Sequence, residues 1–167
     1  MKDRIVCNTG PLIALAIVDR LDLLKLLFHE VVISETVHQE ILRGGAASAG
    51  LSAYGRATWI RTSTEKGASD LLLDSILDAG EASVIQLARA QGTEFVLIDD
   101  RKARKVARNV YGLRVIGTAR VLVEAKHHGF LKSVEKALCG MREGGYWIHE
   151  SIVKTALREA GEEPELI

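Results

Sequence analysis

Residues 5–15 read IVCNTGPLIAL, and this stretch decides the interpretation of the fold. The apolar run Ile5-Val6-Cys7 predicts a short buried strand. It ends at Asn8-Thr9-Gly10-Pro11, where polar residues, a glycine and a proline are typical of the first turn of a helix. Apolar residues within 12–15 continue that helix. A strand that ends in polar residues, with a helix opening directly behind it, is where open α/β proteins place their chemistry.

The composition is that of an ordinary globular domain. The 167 residues are 47% hydrophobic and 26% charged, with 22 basic and 22 acidic side chains that cancel to a net charge of zero. The zero net charge gives no support for nucleic-acid binding, so any such site must depend on a local patch. Cys7 and Cys139 lie far apart and are expected as buried free thiols. The longest apolar run, Pro11–Val18, is too short to span a bilayer and no leader pattern precedes the first strand, so we expect a cytoplasmic protein.

Strands alternate with helices along the whole chain. We predict strands at 5–7, 31–33, 58–62, 95–98 and 114–116, and helices at 12–15, 19–28, 34–44, 80–90, 101–111, 118–128, 133–139 and 147–160. Asp19, Ser34 and Thr118 are expected as caps, and Ser133 opens the helix that runs to Cys139. Residues 44–56 are a loop or a poorly packed helix, and 71–77 are helical or extended. This order predicts an α/β fold, a three-layer α/β/α sandwich with a mainly parallel central sheet. Residues 1–167 form one domain, of which about 161–167 are an acidic tail.

Two segments carry more apolar residues than a single helix face needs. Residues 21–28 are one, and Trp147 with Ile148 ahead of the last helix is the other. Surplus apolar surface of this kind often marks an interface. We therefore expect a homodimer.

Two glutamates lie on the apolar sides of predicted helices. An ionised carboxylate on a buried face is costly unless it is paired or bound to a cation. The simpler alternative is that Glu81 starts its helix, complements the dipole and reaches solvent, while Glu40 borders the apolar stripe. The residues that share their faces are Val84, Ile85 and Ala88 for Glu81, and Val37, Ile41 and Gly44 for Glu40.

Two adjacent acids end the strand predicted at 95–98. Either Asp99 or Asp100 can cap the helix that begins at Arg101, but neighbouring carboxylates repel, so one of them is expected to have another task. Asn8 has a similar alternative as a turn residue that bonds its own backbone. One pocket at the carboxyl edge of a parallel sheet can collect these positions together with the two glutamates. Their like charges would then raise at least one pKa in the metal-free protein.

The chemistry of such a pocket points to a hard cation. Clusters of oxygen donors suit Mg²⁺ or Mn²⁺, which accept a few carboxylates and keep several waters. The chain has no C-x-x-C, no H-E-x-x-H and no phosphate-cradling glycine loop, the motifs of zinc or nucleotide sites.

A basic stripe follows the paired aspartates. Arg101, Arg104, Lys105 and Arg108 share one helix face, while Ala103, Val106, Ala107 and Val110 are expected to face inward. A solvated helix surface explains the stripe as well as a functional patch does. Because the stripe begins directly after the acids, it can also place cations against a phosphate backbone. On that interpretation Arg101 and Arg104 contact phosphate, and Thr9 orients ligands or water.

Four stretches, in order, resemble motifs of PIN-domain proteins: Val6–Ile13, Val37–Glu40, Ala79–Ala82 and Leu97–Arg104. The resemblance covers about residues 4–130, includes Val115–Thr118, and is greatest to a prokaryotic branch of nucleases without an assigned function. It implies a parallel sheet between helices and three or four acids that bind Mg²⁺ or Mn²⁺ to cut single-stranded RNA. Many such proteins are toxins of toxin–antitoxin pairs and are often dimeric, which implies a small antitoxin protein as partner.

Carried over to this chain, the resemblance implies metal ligands at Asn8, Glu40 and Glu81, and at Asp99 or Asp100. The four acids would be the catalytic residues. Active nucleases of the wider family usually have aspartate where this chain has Asn8, whose amide can coordinate through oxygen but carries no charge. Two functions therefore remain open. One is a metal-dependent ribonuclease, and the alternative is a catalytically weakened module that binds RNA or a protein.

Overall fold

The computed structural model describes residues 2–44 and 48–162 of the chain. Its sheet has five strands, β1 (Lys2–Cys7), β2 (Phe28–Ser34), β3 (Arg61–Ser63), β4 (Phe95–Leu97) and β5 (Arg114–Ile116). They lie in the order β3-β2-β1-β4-β5, and every pairing is parallel. The predicted α/β sandwich with a parallel central sheet is confirmed.

The helices that the structure describes connect and cover these strands. They are α1 (Thr9–Ile17), α2 (Asp22–Leu27), α3 (Glu35–Arg43), α4 (Ser48–Arg56), α5 (Leu71–Ile76), α6 (Ala79–Ala90), α7 (Arg101–Asn109), α8 (Thr118–His127), α9 (Val134–Glu143) and α10 (Glu150–Glu159). Helix α6 packs on β1, β2 and β4 and against α3, whereas α8 packs against α2, α9 and α10. No helix in the described ranges has the length and apolar character needed to cross a membrane.

The central strand β1 sets the position of the site. Ile5, Val6 and Cys7 are fully buried, as expected for a strand covered on both faces. Strand order reverses between β1 and β4, and in open α/β sheets such a reversal leaves a crevice at the carboxyl ends of the strands. Asn8 follows β1 directly, and its backbone N–H donates to the carbonyl of Leu97 at 2.9 Å. The ends of β1 and β4 are therefore tied together at this crevice.

Polar side chains close the starts of several helices, which explains where those helices begin. The hydroxyl of Ser34 accepts the N–H of Val37, so this predicted cap is confirmed. Ser133, where a helix was predicted to open, caps α9 by accepting the N–H of Lys136. Thr118 is instead the first residue of α8, and Gly117 takes the cap position.

The prediction that Asp19 caps a helix over residues 19–28 is wrong. Asp19 has a φ of 53°, and it ends α1 rather than starting α2. Its N–H donates to the carbonyl of Ala16 at 3.0 Å, and the N–H of Arg20 donates to that of Leu15 at 2.8 Å. This is the hydrogen-bond pattern with which helices close on a left-handed residue, a conformation that aspartate tolerates better than most.

The apolar surplus of residues 21–28 is mostly buried in the core, and Leu26 is the exposed exception. Leu21, Leu23, Leu24, Leu27 and Phe28 are all buried, and Phe28 already belongs to β2. Trp147 is 72% exposed and precedes α10, which begins at Glu150 and not at residue 147 as predicted.

Other segments differ from the predictions in detail. Cys7 is buried as expected, but Cys139 is exposed on α9. Residues 71–76 are helical, the third strand is 61–63, and residues 48–56 form α4. Of the predicted acidic tail, residues 163–167 lie outside the described part of the chain, as do residues 45–47 of the predicted loop.

Candidate active site

The two residues that follow β1 face the crevice from its centre. Asn8 is only 9% exposed, and its side chain makes no hydrogen bond to the described part of the chain. Thr9 begins α1, and its hydroxyl donates to Oε2 of Glu40 at 2.6 Å. The amide is not among the fully buried side-chain atoms that lack a hydrogen-bond partner in the described part of the chain, so it reaches solvent. Asn8 can therefore offer its oxygen to a ligand.

Glu40 is held between α1 and α6. It lies on α3, half-buried, with its carboxylate against the backbone of Gly80. A Cβ at position 80 would lie 2.5 and 2.6 Å from the two carboxylate oxygens, so only a glycine permits this approach. The glycine of the Ala79–Ala82 stretch therefore makes space for the acid of the preceding helix.

Glu81 lies beside Gly80 and has two roles in the structure. It forms a capping box with Asp78, in which the N–H of Glu81 donates to Asp78 Oδ1 at 2.8 Å and the N–H of Asp78 donates to Glu81 Oε2 at 3.3 Å. Burial and, to a smaller extent, the negative charges of Asp78, Asp100 and Glu40 together raise the pKa of Glu81 to about 7. The interpretation that Glu81 lies at the start of its helix is therefore correct. Its carboxylate is also repelled by the negative charges of Glu40 on α3 and of Asp100 ahead of α7.

Asp100 caps α7, and its charge acts on Glu81. Its Oδ1 accepts the N–H of Ala103 at 2.8 Å, while the side chain stays exposed. Because charges interact over distance, this carboxylate contributes to the raised pKa of Glu81 while it serves as a cap. Capping and repulsion thus coexist in one residue.

Asp99 takes the other task expected of the pair. Its carboxylate accepts the N–H of Thr118 at 2.7 Å and the hydroxyl of Thr118 at 2.5 Å, so it satisfies the start of α8. Its Oδ2 also accepts the hydroxyl of Tyr146. Three donors fix Asp99 at the end of β4, on the α8 side of the crevice.

Tyr146 is a site residue that sequence reasoning missed. It lies in the loop between α9 and α10, beyond the span of the resemblance, and only its aromatic character marked it in the sequence. A Cβ at Gly10 would lie 3.0 Å from the Tyr146 hydroxyl, so the glycine behind Thr9 makes room for the ring. Burial, followed by the charge and hydrogen bond of Asp99, raises the pKa of Tyr146 far above its usual value, so the hydroxyl stays a donor.

The two arginines assigned to substrate have different environments. Arg101 is exposed at the start of α7. Arg104 is half-buried and donates to the carbonyl of Ile98 at 2.8 Å, next to Asp99, and burial lowers its pKa. Arg104 thus leaves the solvated stripe to brace the turn after β4. Val110, expected to face inward, is 55% exposed.

Taken together, the predicted site residues form two neighbouring groups. Glu40, Glu81 and Asp100 interact electrostatically, and Asp99 is anchored with Thr118 and Tyr146 beside them. Within residues 2–44 and 48–162, no three Asp, Glu, His or Cys side chains are grouped closely enough to hold a metal ion. Each acid instead accepts a hydrogen bond from the protein.

A family model described as a PIN domain matches residues 4–162. The chain belongs to the PIN-domain family. Searches among curated proteins and among solved structures give no match. The PIN-domain match confirms the family resemblance over a longer span than the motifs suggested, and it includes the segment that carries Tyr146.

PIN domains have a nuclease-like fold and generally use divalent metal ions. The candidate ligand atoms of this PIN domain are chemically suited to such an ion, because they are carboxylate oxygens and an amide oxygen that accepts no hydrogen bond from the described residues. The mutual repulsion around Glu81 is what a cation would relieve. The side-chain positions do not yet match, because Glu81 and Asp100 are engaged as caps. Binding of one ion by several of these acids therefore requires them to rotate from those caps.

Two grooves flank the acids. One, of about 650 Å³, is lined by Glu40 and by polar residues that follow β2 and β3, with Arg43 and Lys66 on its walls. The other, of about 840 Å³, runs from Asp99 and Asp100 to the surface of α10. The site is thus open on both sides to a substrate longer than a single small molecule.

Proposed function

We propose that this PIN-domain protein is a Mg²⁺- or Mn²⁺-dependent ribonuclease that hydrolyses phosphodiester bonds in single-stranded RNA. The observation that carries the proposal is the raised pKa of Glu81, produced first by burial and then by the charges of its capping partner Asp78 and of Asp100 and Glu40 on neighbouring elements. A carboxyl group whose pKa is raised by burial and by nearby acids is typical of a functional site.

In this proposal Glu40, Glu81, Asp99 and Asp100 hold the cation together with the amide oxygen of Asn8. A bound divalent ion would activate water and neutralise charge on the scissile phosphate. Thr9 orients Glu40 through the 2.6 Å hydrogen bond, and Arg101 binds a neighbouring phosphate. Arg104 supports the turn that presents Asp99, and its assignment as a direct phosphate contact stays a prediction.

Cleavage of a labelled single-stranded RNA tests the proposal directly. We expect products with Mn²⁺, none with EDTA, and loss of activity in Glu81→Gln. Glu143→Gln is the matched control, because Glu143 is an exposed acid at the end of α9 outside the site. Equal rates for the native protein and Glu81→Gln would refute the catalytic assignment.

A binding module without cleavage is the second candidate. It is favoured by the neutral amide of Asn8 and by the protein hydrogen bonds that occupy every acid. In this case RNA binds without being cut, and Asn8→Asp creates Mn²⁺-dependent cleavage where the native protein has none. Cleavage by the native protein at a rate that Asn8→Asp does not raise would exclude this candidate.

The family resemblance also supports a role as the toxin of a toxin–antitoxin pair, with a small antitoxin protein as partner and a homodimeric assembly in the cytoplasm. The dimer is the part most easily tested, by light scattering across micromolar concentrations. A monomer mass throughout that range would refute it.

A further inference from the structure

The groove that starts at Asp99 and Asp100 has an apolar floor. Buried side chains of α8 and of the segment before α10 line it, among them Ala119, Val123 and Ile148. Arg101 lies on its rim near the acids, and Ile152 and Trp147 lie further along. The groove therefore joins the candidate catalytic residues to an exposed aromatic side chain.

Trp147 is exposed although both of its chain neighbours are fixed. Its indole is 72% exposed, while Ile148 is 7% exposed and Tyr146 donates to Asp99. The guanidinium carbon of Arg142 lies 5.3 Å from the centroid of the indole ring, and Arg142 is itself held by Glu150 at 2.7 Å. A large aromatic ring that is left in water and yet held in place by its surroundings is typical of a contact surface.

We propose that Trp147 is a stacking platform for a base of the RNA strand whose phosphate lies at the acids. The inference rests on the ribonuclease function proposed above, and it names a residue that binds the substrate. Trp147 follows Tyr146 directly, and the Tyr146 hydroxyl touches Asp99, so one strand can contact both the platform and the acids. Stacking on an aromatic side chain tolerates every base, which suits an enzyme that binds a single strand along its backbone.

The charge around the groove favours RNA over a protein side chain as occupant. Helix α7 carries five basic residues and no acidic ones, and two of them, Arg101 and Arg104, line the groove. The other charged residues of the lining are Asp99 and Asp100 of the candidate site and the ion pair of Arg120 with Glu159. Arg101 makes no hydrogen bond or ion pair with the described residues, so its charge is available to a phosphate. An apolar partner segment would use the floor and Trp147 but would leave this charge without a function. An aromatic side chain for stacking, combined with a cation that is free to contact the backbone, is typical of a single-strand site.

Fluorescence of Trp147 measures the proposed contact without catalysis. The chain has two tryptophans, and the other one, Trp59, is half-buried and packs on the core. In a Trp59→Phe variant Trp147 is the only tryptophan, and excitation beyond the tyrosine absorption band isolates its emission. Titration with a short single-stranded oligoribonucleotide in EDTA should quench its emission saturably, whereas the same sequence as a duplex should not.

Affinity in the native background completes the test. Trp147→Ala should weaken binding of a labelled single strand in EDTA about 5- to 150-fold, the usual range for loss of one stacked base, and Trp147→Phe should retain most of the affinity. Because the indole is exposed, these variants should melt close to the native temperature. Arg101→Gln should reduce the salt slope of binding by about one, as expected for a phosphate contact.

Several outcomes overturn the inference. These are unchanged affinity in Trp147→Ala, equal losses in Trp147→Ala and Trp147→Phe, or emission that ignores RNA and changes only on dilution of the protein, which would assign the groove to a second copy. Failure of the proposed function is distinguishable. Trp147-dependent binding in EDTA without cleavage in Mn²⁺ rejects the ribonuclease and keeps the platform, and cleavage unaffected by Trp147→Ala does the reverse.

Discussion

Gly80→Ala should displace the side chain of Glu40, although Glu40 itself is not substituted. The new Cβ would lie 2.5 and 2.6 Å from the carboxylate oxygens of Glu40. Since non-bonded heavy atoms settle near 3.5 Å, the carboxylate must retreat by about 1 Å. That displacement breaks the 2.6 Å hydrogen bond from Thr9 and takes Glu40 away from the position in which it faces Glu81.

The effect on stability is a small difference between two opposing terms. Loss of a hydrogen bond to a charged group costs about 1.5–3 kcal/mol. Replacing a helical glycine with alanine contributes about 1 kcal/mol in the opposite direction, and Gly80 has no left-handed φ that would cancel this gain. The net destabilisation is therefore about 0.5–2 kcal/mol, which lowers the melting temperature by a few degrees at about 2–4 °C per kcal/mol.

Thermal melts with and without Mn²⁺ separate the site from the fold. We expect Mn²⁺ to raise the melting temperature of the native protein, because it binds only the folded state, and to raise that of Gly80→Ala much less. Gly55→Ala on α4 is the matched control, since no atom lies within 4 Å of the added Cβ. It should stabilise the protein slightly and keep the full Mn²⁺ response. An undiminished Mn²⁺ response in Gly80→Ala would refute the role of Glu40.

Three further predictions concern single acids. Burial, reinforced by neighbouring carboxylates, raises the pKa of Glu81 to about 7, so its contribution to stability is full below about pH 4.5 and is lost as the pH rises through 7. Glu81→Gln should therefore stabilise the metal-free protein by about 1–2 kcal/mol above pH 7, after allowance for solvent screening, and by almost nothing at pH 4.5; a gain that does not vary with pH contradicts this. Asp99→Asn should lower the melting temperature, because Asp99 accepts three hydrogen bonds. Asp100→Asn should leave the melting temperature almost unchanged, because asparagine also caps helices. A lower melting temperature for Asp100→Asn than for Asp99→Asn would exclude these separate roles. Glu162 has its pKa lowered to about 2: burial alone would raise it, but hydrogen bonds from a lysine and from two backbone N–H groups of α9 outweigh that effect. Glu162→Gln should lower the melting temperature at pH 7, and this difference should shrink as the pH falls from about 4.5 towards 2; equal melting curves at pH 7 would show that the contact contributes nothing.

Patterns that depend on neighbours along the chain predicted most of the fold. The strand Ile5–Cys7 and the helix behind it are recognisable from the spacing of their apolar residues and from the turn residues between them. The caps at Ser34 and Ser133 also depend only on the local sequence. The prediction for Asp19 was wrong because aspartate fits equally well before a helix and in the left-handed turn after one. Only the packing of α1 decides between those uses.

The site was predictable in its residues but not in its contacts. Glu40 and Glu81 were predictable as site residues because they lie on apolar helix faces. An ionised carboxylate there is costly unless it is paired or binds a cation. Tyr146 gave no comparable signal, because its contact with Asp99 joins residues 47 positions apart through a loop. Arg104 has the same helical phase as the exposed arginines, and only the carbonyl of Ile98 turns it inward.

The central claim is that acids from α3, α6 and the end of β4 act as one divalent-metal centre. Calorimetric titration of Mn²⁺ into the native protein, Glu40→Gln and Glu81→Gln tests it most directly, because no substrate has to be known. We expect one saturable site in the native protein, weakened at least about tenfold by either substitution, a loss of about 1.4 kcal/mol in binding free energy. No saturable binding in the native protein, or binding that neither substitution alters, would contradict the claim.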